Sequence, residues 1–417
     1  MMRLLPTSAL LLSLIASTAM SESWPRWRGP ASNGLVAAGP YPTSWTQRES
    51  MLWKVDLPGR GASTPVVWGD QIFLTYGKDK KNILACYLQG DGARFWQTEI
   101  GSERGGKHRK ASGANPSCVT DGKLVYAYFK SGDLAAVDME GKIVWHHNLQ
   151  DKFGEDTLWW DLGTSPVLTK DHVVVACMQT GPSWLAAFNR KTGKQAWKVD
   201  RNLGAPEEAA QSYSTPIVEE RGGQEVIYTL GADHVTAHAA ADGAEIWRVG
   251  GLNPTQHKYF RSISSPVISG DILVAPYARG ATVTGIQLGG KGDVTKTHVL
   301  WTAQGVGADV PTPVVKDGKV YVCRDRGSIA CLDLKTGKKL TEVSLGKSRA
   351  GFSSSPIMAG SLLYVTREDG ATFVLDTQDG LKTVGSSNLE QQTVATPVFV
   401  NGDILLRTFD TLYCIGG

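Results

Sequence analysis

The amino-acid sequence predicts an all-β protein, an eight-bladed β-propeller whose blades are four-stranded antiparallel sheets. Three observations predict this fold: a motif that recurs eight times, a four-strand pattern inside each recurrence, and a composition rich in turn-forming residues. The 417 residues include 47 Gly and 19 Pro, and only 20% of them are charged. This mixture favours short strands joined by tight turns over long helices.

The recurring motif is a small or polar residue followed by proline and then an apolar strand. Successive prolines lie 41 to 51 residues apart along the chain. A repeat of this length forms one supersecondary unit, and such units bury their sheet faces by stacking around an axis. The eight copies are Thr64-Pro65, Asn115-Pro116, Ser165-Pro166, Thr215-Pro216, Ser265-Pro266, Thr312-Pro313, Ser355-Pro356 and Thr396-Pro397.

Each copy carries the pattern of four strands separated by turns. A β-branched strand follows the proline, and later strands are separated by turns such as Asp317-Gly318 and Thr336-Gly337. Glycine in these turns supplies the positive φ that two-residue hairpins require. We expect the tryptophans of the fourth strands to fill the space between neighbouring blades. They are Trp96, Trp145, Trp197, Trp247 and Trp301.

The last copy ends after its third strand, and a donor for the fourth strand lies near the N-terminus. Residues 51–57 read MLWKVDL and precede the first proline motif. If residues 52–57 pair with the last blade, this N-terminal strand closes the ring and removes exposed sheet edges. The propeller is therefore predicted to span residues 51–417. Residues 22–50 form an extension that we expect to lie across the outside of the barrel.

Residues 1–21 have the layout of a cleavable signal peptide. Arg3 precedes a short apolar run, and small residues follow at Ala19 and Ser21. The run is too short to span a bilayer, so an uncleaved membrane anchor is the less favoured alternative. We expect an exported protein, periplasmic or extracellular, without a transmembrane segment. No cysteine precedes Cys86, so we also expect no lipid anchor.

Charge and cysteine usage exclude several classes of function. The formal net charge of +3 is too small to indicate a nucleic-acid partner, and no long block of like charges occurs. We expect a monomer. No two cysteines are adjacent or form a CxxC pair, and they lie in apolar strand patterns, which predicts buried free thiols. The six are Cys86, Cys118, Cys177, Cys323, Cys331 and Cys414.

The repeat resembles that of the PQQ-like (pyrroloquinoline-quinone) β-propeller family. The match is clearest in residues 114–145 and 309–338, and it covers residues 51–417. The resemblance implies two kinds of function. Quinoprotein dehydrogenases of this family hold PQQ and Ca²⁺ on the propeller axis. The propeller subunit of the outer-membrane β-barrel assembly machine is non-catalytic and binds its partner through loops of one face.

This sequence departs from both branches of the family. The dehydrogenases place a disulfide between adjacent cysteines over the quinone, and no adjacent cysteines exist here. The assembly subunit carries a lipidated cysteine at its mature N-terminus, which is also absent from this sequence. We therefore expect no cofactor, with PQQ and calcium as an alternative that the missing cysteine pair leaves unsupported.

Candidate binding residues lie in the loops that join the fourth strand of one blade to the first strand of the next. In a propeller these loops emerge around the axis at one face. Cations from several blades would focus a positive potential there, and tryptophans would offer flat binding surfaces. The candidates are Arg60, His108, Arg109, Trp159, Trp160, Asp161, Tyr213, His257, Arg261, Asp309 and Arg349.

Three interpretations of these residues remain open. They are solvated loop residues, or they bind a protein or an anionic polysaccharide, or they catalyse a reaction. In the catalytic case Asp161 or Asp309 would act as general base beside His108 or His257. No nucleophile motif or metal-ligand spacing supports catalysis. The sequence therefore favours a non-enzymatic binding or scaffold propeller, and the alternative is a quinone- or metal-dependent oxidoreductase that uses the same face.

Overall fold

The repeats fold into eight antiparallel sheets arranged as an eight-bladed β-propeller, as the sequence predicts. The computed structural model describes residues 22–46, 48–104 and 110–417. In each blade the strand that begins the repeat is innermost, and the fourth strand lies at the outer rim. The innermost strands of blades 1 and 2, of blades 3 and 4, and of blades 5 and 6 contact each other around a central channel. Residues 1–21 lie outside the described ranges, so the signal peptide stays a prediction.

The blades follow one another in chain order, and each runs from the channel outward. Blades 4 and 7 each carry one additional strand of two residues, which pairs parallel to a blade strand. These elements are β22 (Gly292–Asp293) on blade 4 and β1 (Leu35–Val36) on blade 7. Blade 1 contains β3 (Val66–Trp68), β4 (Gln71–Lys78), β5 (Lys81–Leu88) and β6 (Arg94–Ser102); blade 2 contains β7 (Val119–Thr120), β8 (Leu124–Tyr128), β9 (Asp133–Asp138) and β10 (Ile143–Asn148); blade 3 contains β11 (Val167–Leu168), β12 (His172–Cys177), β13 (Trp184–Asn189) and β14 (Gln195–Asp200); blade 4 contains β15 (Ile217–Arg221), β16 (Gln224–Gly231), β17 (His234–Ala239) and β18 (Glu245–Val249); blade 5 contains β19 (Val267–Ser269), β20 (Ile272–Tyr277), β21 (Thr282–Gln287) and β23 (Val299–Gln304); blade 6 contains β24 (Val314–Lys316), β25 (Lys319–Cys323), β26 (Ser328–Asp333) and β27 (Lys339–Ser344); blade 7 contains β28 (Ile357–Ala359), β29 (Leu362–Thr366), β30 (Ala371–Asp376) and β31 (Lys382–Asn388); blade 8 contains β32 (Val398–Val400), β33 (Asp403–Arg407), β34 (Thr411–Ile415) and β2 (Met51–Asp56).

Helices are short and lie in the connections between strands. Among the described residues, the α-helices are α1 (Leu149–Phe153) and α2 (Thr295–His298). Two 3₁₀ turns span Glu207–Ala210 and Ala278–Gly280. In the part of the chain that the structure describes, no helix is long and apolar enough to cross a membrane.

The eighth blade is built from both ends of the propeller sequence, which confirms the predicted ring closure. The N-terminal strand β2 pairs antiparallel with β34 and forms the outer strand of this blade. From β2, the indole Nε1 of Trp53 donates a hydrogen bond to the backbone oxygen of Gln89 in blade 1, 2.8 Å away. The strand therefore completes the last blade and also joins it to the first.

Eight Ser or Thr side chains form a closed circle of hydrogen bonds around the channel. The backbone N–H of each donates to the side-chain oxygen of its counterpart in the next blade, over 2.9 to 3.3 Å. The bond from Thr396 to Thr64 closes the circle between blades 8 and 1. These residues, here called the hydroxyl ring, are Thr64, Ser117, Ser165, Thr215, Ser265, Thr312, Ser355 and Thr396.

The second blade departs from the phase that the proline motif predicts. The motif places Asn115-Pro116 at the start of this blade, but the ring member is Ser117, and Cys118 stands directly before β7. Asn115 instead donates from Nδ2 to Asp161 Oδ2, 2.8 Å away. The motif is wrong by two residues here because the hydroxyl that accepts the neighbouring N–H defines the structural position, and the proline does not.

Tryptophans of the outer strands pack between blades, as predicted. The Nε1 of Trp96 donates to the backbone oxygen of Met139 in the next blade at 2.8 Å, and Trp197 bonds Ala240 in the same way at 3.1 Å. The indole of Trp96 lies on Gly141, where an added Cβ would come within 2.7 Å of the ring. Glycine at this turn therefore permits both the positive φ of the backbone and the close approach of the indole.

The cysteines are buried free thiols, which confirms the prediction from their sequence context. Cys323 lies opposite Ile329 and Cys331 lies opposite Tyr321, so the two thiols do not face each other across the hairpin. Burial raises the pKa of the Cys118 thiol to about 12, which keeps it protonated and unreactive.

The first part of the N-terminal extension lies inside the channel, so its predicted position on the outside of the barrel is wrong. Trp24 exchanges two backbone hydrogen bonds with Val67 of β3, at 2.8 and 2.9 Å. Further along, Arg28 donates to the backbone oxygen of Pro313 at 2.6 Å, and β1 pairs parallel with β28. Residues 24–36 thus contact the innermost strands of several blades, because those strands present unpaired backbone groups to the channel.

The second part of the extension runs outward between blades 7 and 8. The ring of Tyr41 packs edge-on against Phe399, with 5.0 Å between ring centroids. The backbone N–H of Trp45 donates to Ser387 Oγ of the outermost strand of blade 7 at 2.7 Å. The chain then enters β2, so one continuous segment links the channel to the outer rim.

Candidate functional site

A cavity of about 900 Å³ opens on the propeller axis, at the face where the chain passes from one blade to the next. We call it the axial cup. The hydroxyl ring surrounds its base, and Trp27 of the N-terminal extension forms the floor. The Nε1 of Trp27 donates to Thr396 Oγ1 at 3.3 Å, which fixes the indole beneath the cup. The volume lies within the range of small-molecule binding sites.

Five of the eleven predicted site residues line the axial cup. Their loops leave different blades and converge on the axis, as the sequence predicts. The five are Trp160, Asp161, Tyr213, Arg261 and Asp309.

The other predicted residues do not line the cup. Trp159, His257 and Arg349 are exposed elsewhere on the loops. Arg60 is also exposed, and its guanidinium lies 3.6 Å from the ring centroid of Phe409. The loops of Trp159 and His257 also carry Trp160 and Arg261, which line the cup. Sequence position alone does not distinguish the side chains of a loop that face the axis from those that face away. His108 and Arg109 lie outside the described residues.

Arg261 is the buried centre of one wall of the cup. Its Nε lies 3.3 Å from Glu208 Oε1, and its Nη2 lies 3.2 Å from Asp309 Oδ2. The guanidinium also stands over the indole of Trp160, 5.5 Å from the ring centroid. Two carboxylates therefore balance this cation, and the aromatic ring adds a cation–π contact.

Asp309 is shared among several charged groups. Burial raises the pKa of its carboxyl, although the neighbouring Arg261 favours the ionised form. Arg279 approaches the same carboxylate at 4.0 Å. The backbone N–H of Asp309 donates to Asp325 Oδ2 at 2.7 Å, which fixes the loop at the edge of blade 6. The carboxylate thus belongs to a charge network.

Asp161 ties two loops together in a strained backbone conformation. Its φ of +96° is unusual for a residue other than glycine. One carboxylate oxygen accepts from the backbone N–H of Gly113 and from Asn115 Nδ2, both at 2.8 Å, and the other accepts from the N–H of Leu162 at 2.7 Å. Burial raises the pKa of this carboxyl. These contacts give Asp161 a bracing role at the cup wall.

Charged residues that the sequence prediction missed come mainly from the turns between second and third strands. These turns reach the same face as the blade-to-blade loops because the strands alternate in direction. The turns around Arg326 and Glu368 are recognisable in the repeat. The alternating direction of the strands could therefore have predicted that these turns reach this face. Lys110, on a blade-to-blade loop, pairs with Glu368 at 2.5 Å. The missed charged lining residues are Lys110, Arg279, Arg324, Asp325, Arg326 and Glu368.

Among the residues that the structure describes, basic and acidic side chains line the cup in nearly equal numbers, five and four. Lys107, His108 and Arg109 lie outside the described residues, so the positive funnel stays a prediction. Arg324 also pairs with Glu342, which lies outside the lining, at 3.0 Å. The lining basic residues are Lys110, Arg261, Arg279, Arg324 and Arg326, and the acidic ones are Asp161, Asp309, Asp325 and Glu368.

Three loops beside the cup brace one another. They span residues 151–164, 201–214 and 252–264, and we call them the loop ridge. The backbone N–H of Tyr213 donates to the backbone oxygen of Ser262 at 2.7 Å, which joins the second loop to the third. Side-chain hydrogen bonds of Gln211 and Glu208 join the first loop to the second.

Gln211 and Glu208 of the second loop hold the two tryptophans of the first. The backbone N–H of Trp159 donates to Gln211 Oε1 at 3.3 Å, and Trp160 Nε1 donates to Glu208 Oε1 at 2.7 Å. The exposed fractions of Trp159, Trp160 and Tyr259 are 48%, 41% and 39%. The ridge therefore presents three large aromatic side chains on backbone that neighbouring loops fix.

The described acidic residues of the cup do not form a cluster that would hold calcium beside a quinone. Calcium takes six to eight oxygen ligands. Within residues 22–46, 48–104 and 110–417, no group of three or more His, Cys, Asp and Glu is placed to hold a metal ion. The carboxylates of Asp309 and Glu368 contact Arg261 and Lys110 instead. The expectation of no cofactor stays a prediction.

Comparison with known proteins adds relatives by sequence and by fold. The profile of the PQQ_2 family, described as "Outer membrane protein assembly factor BamB", matches residues 45–199, 156–384 and 290–409. Outer membrane protein assembly factor BamB of Yersinia pestis is 25% identical over 332 residues, which cover 75% of each chain.

Two solved structures have the same fold. The structure of BamB from Moraxella catarrhalis has a TM-score of 0.61 and 15% identity, and the match covers 88% of this chain and 97% of that one. A europium-containing methanol dehydrogenase has a TM-score of 0.73 and 11% identity, with 95% and 98% coverage. At these identities the structural likenesses show the fold alone.

Proposed function

Because the chain belongs to the family described as outer membrane protein assembly factor BamB, we propose that it is an exported, non-enzymatic scaffold that binds a protein of the outer-membrane assembly machinery. The loop ridge is the proposed docking surface. The observation that carries the proposal is the set of exposed aromatic side chains, Trp159, Trp160 and Tyr259, on two of the three mutually braced loops.

Bracing favours protein binding because little conformational entropy is lost when a partner docks. Gln211 supports this rigidity with both the oxygen and the nitrogen of its side-chain amide. Its Oε1 accepts from the Tyr213 hydroxyl at 2.8 Å, and its Nε2 donates to Thr180 Oγ1 at 3.1 Å. Rigid aromatic anchors on supported loops are the residues that carry most of the binding energy in protein interfaces.

The surroundings of the aromatic residues have the character of an interface rim. Lys258 and Glu207 lie 3.5 Å apart and are both about half exposed. The ammonium of Lys258 also lies 5.0 Å from the ring centroid of Tyr259. Exposed charges around an apolar centre favour orientation and specificity of a partner over raw affinity.

The test of this proposal is co-purification from the source cells. A tagged full-length chain and its Trp159→Ala/Tyr259→Ala variant are extracted in mild detergent, and proteins of the outer-membrane assembly machinery are quantified by mass spectrometry. Loss of two aromatic anchors is expected to reduce recovery on the order of tenfold or more.

The matched control is Leu52→Ala/Leu340→Ala, which removes two exposed apolar side chains from the outer rim, at 59% and 48% exposure. We expect this control to retain recovery. Equal recovery with all three chains, at unchanged thermal midpoints, would contradict the assignment of the ridge. Absence of any assembly protein from the wild-type sample would contradict the proposed partner.

A further inference from the structure

The axial cup is a blind cavity with its own recognition surface, which shares Trp160 but not Trp159 or Tyr259 with the aromatic tips of the loop ridge. Residues 24–36 occupy the channel below it, and the indole of Trp27 closes its base. A ligand therefore enters from the loop face. The volume of about 900 Å³ has room for a molecule the size of a short oligosaccharide.

The base of the cup is rich in hydroxyl groups. All eight members of the hydroxyl ring line it. Each side-chain oxygen already accepts one backbone N–H from its neighbour, as with Ser165 and Ser117 at 2.9 Å. A hydroxyl has a proton to donate and a second lone pair besides the one so used, which in Thr396 accepts from Trp27 Nε1. The base is thus a circle of hydroxyls around an aromatic floor.

Two ion pairs in the described walls of the cup disfavour a strongly charged ligand. Lys110 pairs with Glu368 at 2.5 Å, and Arg261 pairs with Asp309 at 3.2 Å. An anionic ligand that approaches either of these cations is repelled by the carboxylate beside it. A cationic ligand that approaches either carboxylate is repelled by the paired cation. A ligand hydroxyl avoids this conflict because it both donates to a carboxylate and accepts from a guanidinium.

Aromatic surface is present at two heights in the cup. Trp27 lies at the base, and Trp160 lies on the wall with 41% of its surface exposed. Indole faces pack well against the C–H face of a pyranose ring, since that face is apolar while its edge carries hydroxyls. The aromatic floor, the circle of hydroxyls and the paired charges all match a ligand that has an apolar ring face and hydroxyls at its edge.

We propose that the axial cup binds a neutral carbohydrate, with a sugar ring on Trp27 and its hydroxyls bonded to the hydroxyl ring and to the paired charges of the wall. This site does not depend on the protein partner proposed for the loop ridge. A propeller with both sites holds a glycan at its axis while it docks a protein beside it.

The experiment measures binding of the purified full chain to neutral trisaccharides of glucose and of N-acetylglucosamine, by calorimetry and saturation-transfer NMR, with trigalacturonate as the anionic counterpart. We expect saturable binding of a neutral sugar and weaker binding of the anionic one. Trp27→Leu keeps an apolar floor but removes the indole, so the affinity should fall about tenfold.

Two further variants make the test specific. Ala111→Leu adds bulk at a lining position of the cup and is expected to weaken binding to a similar degree. Trp68→Leu is the matched control, since Trp68 is 37% exposed and lies outside the cup lining. Ala111→Leu should leave co-purification of the assembly protein unchanged, which separates this proposal from the preceding one.

Three results would overturn the proposal. The first is no binding of any neutral sugar at about 10 mM, tenfold above a dissociation constant of about 1 mM. The second is tighter binding of the anionic sugar. The third is a neutral-sugar affinity that both Trp27→Leu and Ala111→Leu leave intact. If Trp27→Leu lowers the thermal midpoint, Ala111→Leu alone decides whether the cup is the site.

Discussion

Thr64 closes the hydroxyl ring, and its replacement by valine removes a single hydrogen bond while it preserves the side-chain shape. In the native protein, Thr64 Oγ1 accepts the backbone N–H of Thr396 at 3.1 Å. Both residues are buried. Thr64→Val therefore leaves the N–H of Thr396 without its partner at the junction of the last and first blades.

The expected cost follows from the burial of that N–H group. An unsatisfied buried donor destabilises a protein by about 1–3 kcal/mol. A chain of about 400 residues unfolds with an entropy on the order of 0.8 kcal/mol per kelvin. The thermal midpoint should therefore fall by about 1–4 °C if the propeller unfolds cooperatively.

The assay is calorimetric unfolding of the wild type, Thr64→Val and two companions. Ser265→Ala removes the acceptor of the Thr215 N–H elsewhere in the ring and should cost a similar amount. Thr383→Val changes an exposed threonine of the rim strand β31 and should shift the stability by less than about 0.5 kcal/mol. A Thr64→Val midpoint indistinguishable from that of Thr383→Val would refute the role of the ring in closure.

Two further predictions concern acid stability and cofactor binding. Burial lowers the pKa of His238 to about 4, and below pH 6.5 the unfolded chain takes up a proton that the folded chain rejects. Roughly 3 kcal/mol of stability should be lost as the pH falls from 6.5 to 4, and urea titrations should show a flatter pH profile for His238→Gln. An equally steep profile in that variant would contradict the assignment. PQQ with calcium should give neither a saturable absorbance change nor dye reduction with alcohols or sugars, and turnover would establish the oxidoreductase alternative.

The fold was predictable because each blade repeats its local signals. The turn glycine and the outer-strand tryptophan recur at a fixed spacing, and Trp53 identified the strand that closes the ring. The second blade was misphased because Pro116 imitates the motif two residues early, and only the hydrogen bond to Ser117 reveals the true position.

The channel segment and half of the site were not predictable from local sequence. Residues 24–36 have no periodic pattern. Their position depends on hydrogen bonds to backbone groups of the inner strands, such as those between Trp24 and Val67. Trp27 therefore gave no sign that it floors a cavity. Arg324 and Asp325 read as ordinary turn residues, because their contribution to the cup depends on strand direction and on the curvature of the ring.

Docking of an outer-membrane assembly protein on the loop ridge can be measured in the source cells by site-specific photo-crosslinking. The photoreactive residue replaces Trp159 on the ridge or Leu340 on the outer rim. We expect a crosslinked assembly protein from position 159 and little or none from position 340. Crosslinks to that protein from position 340 alone, or from neither position, would contradict the proposed docking.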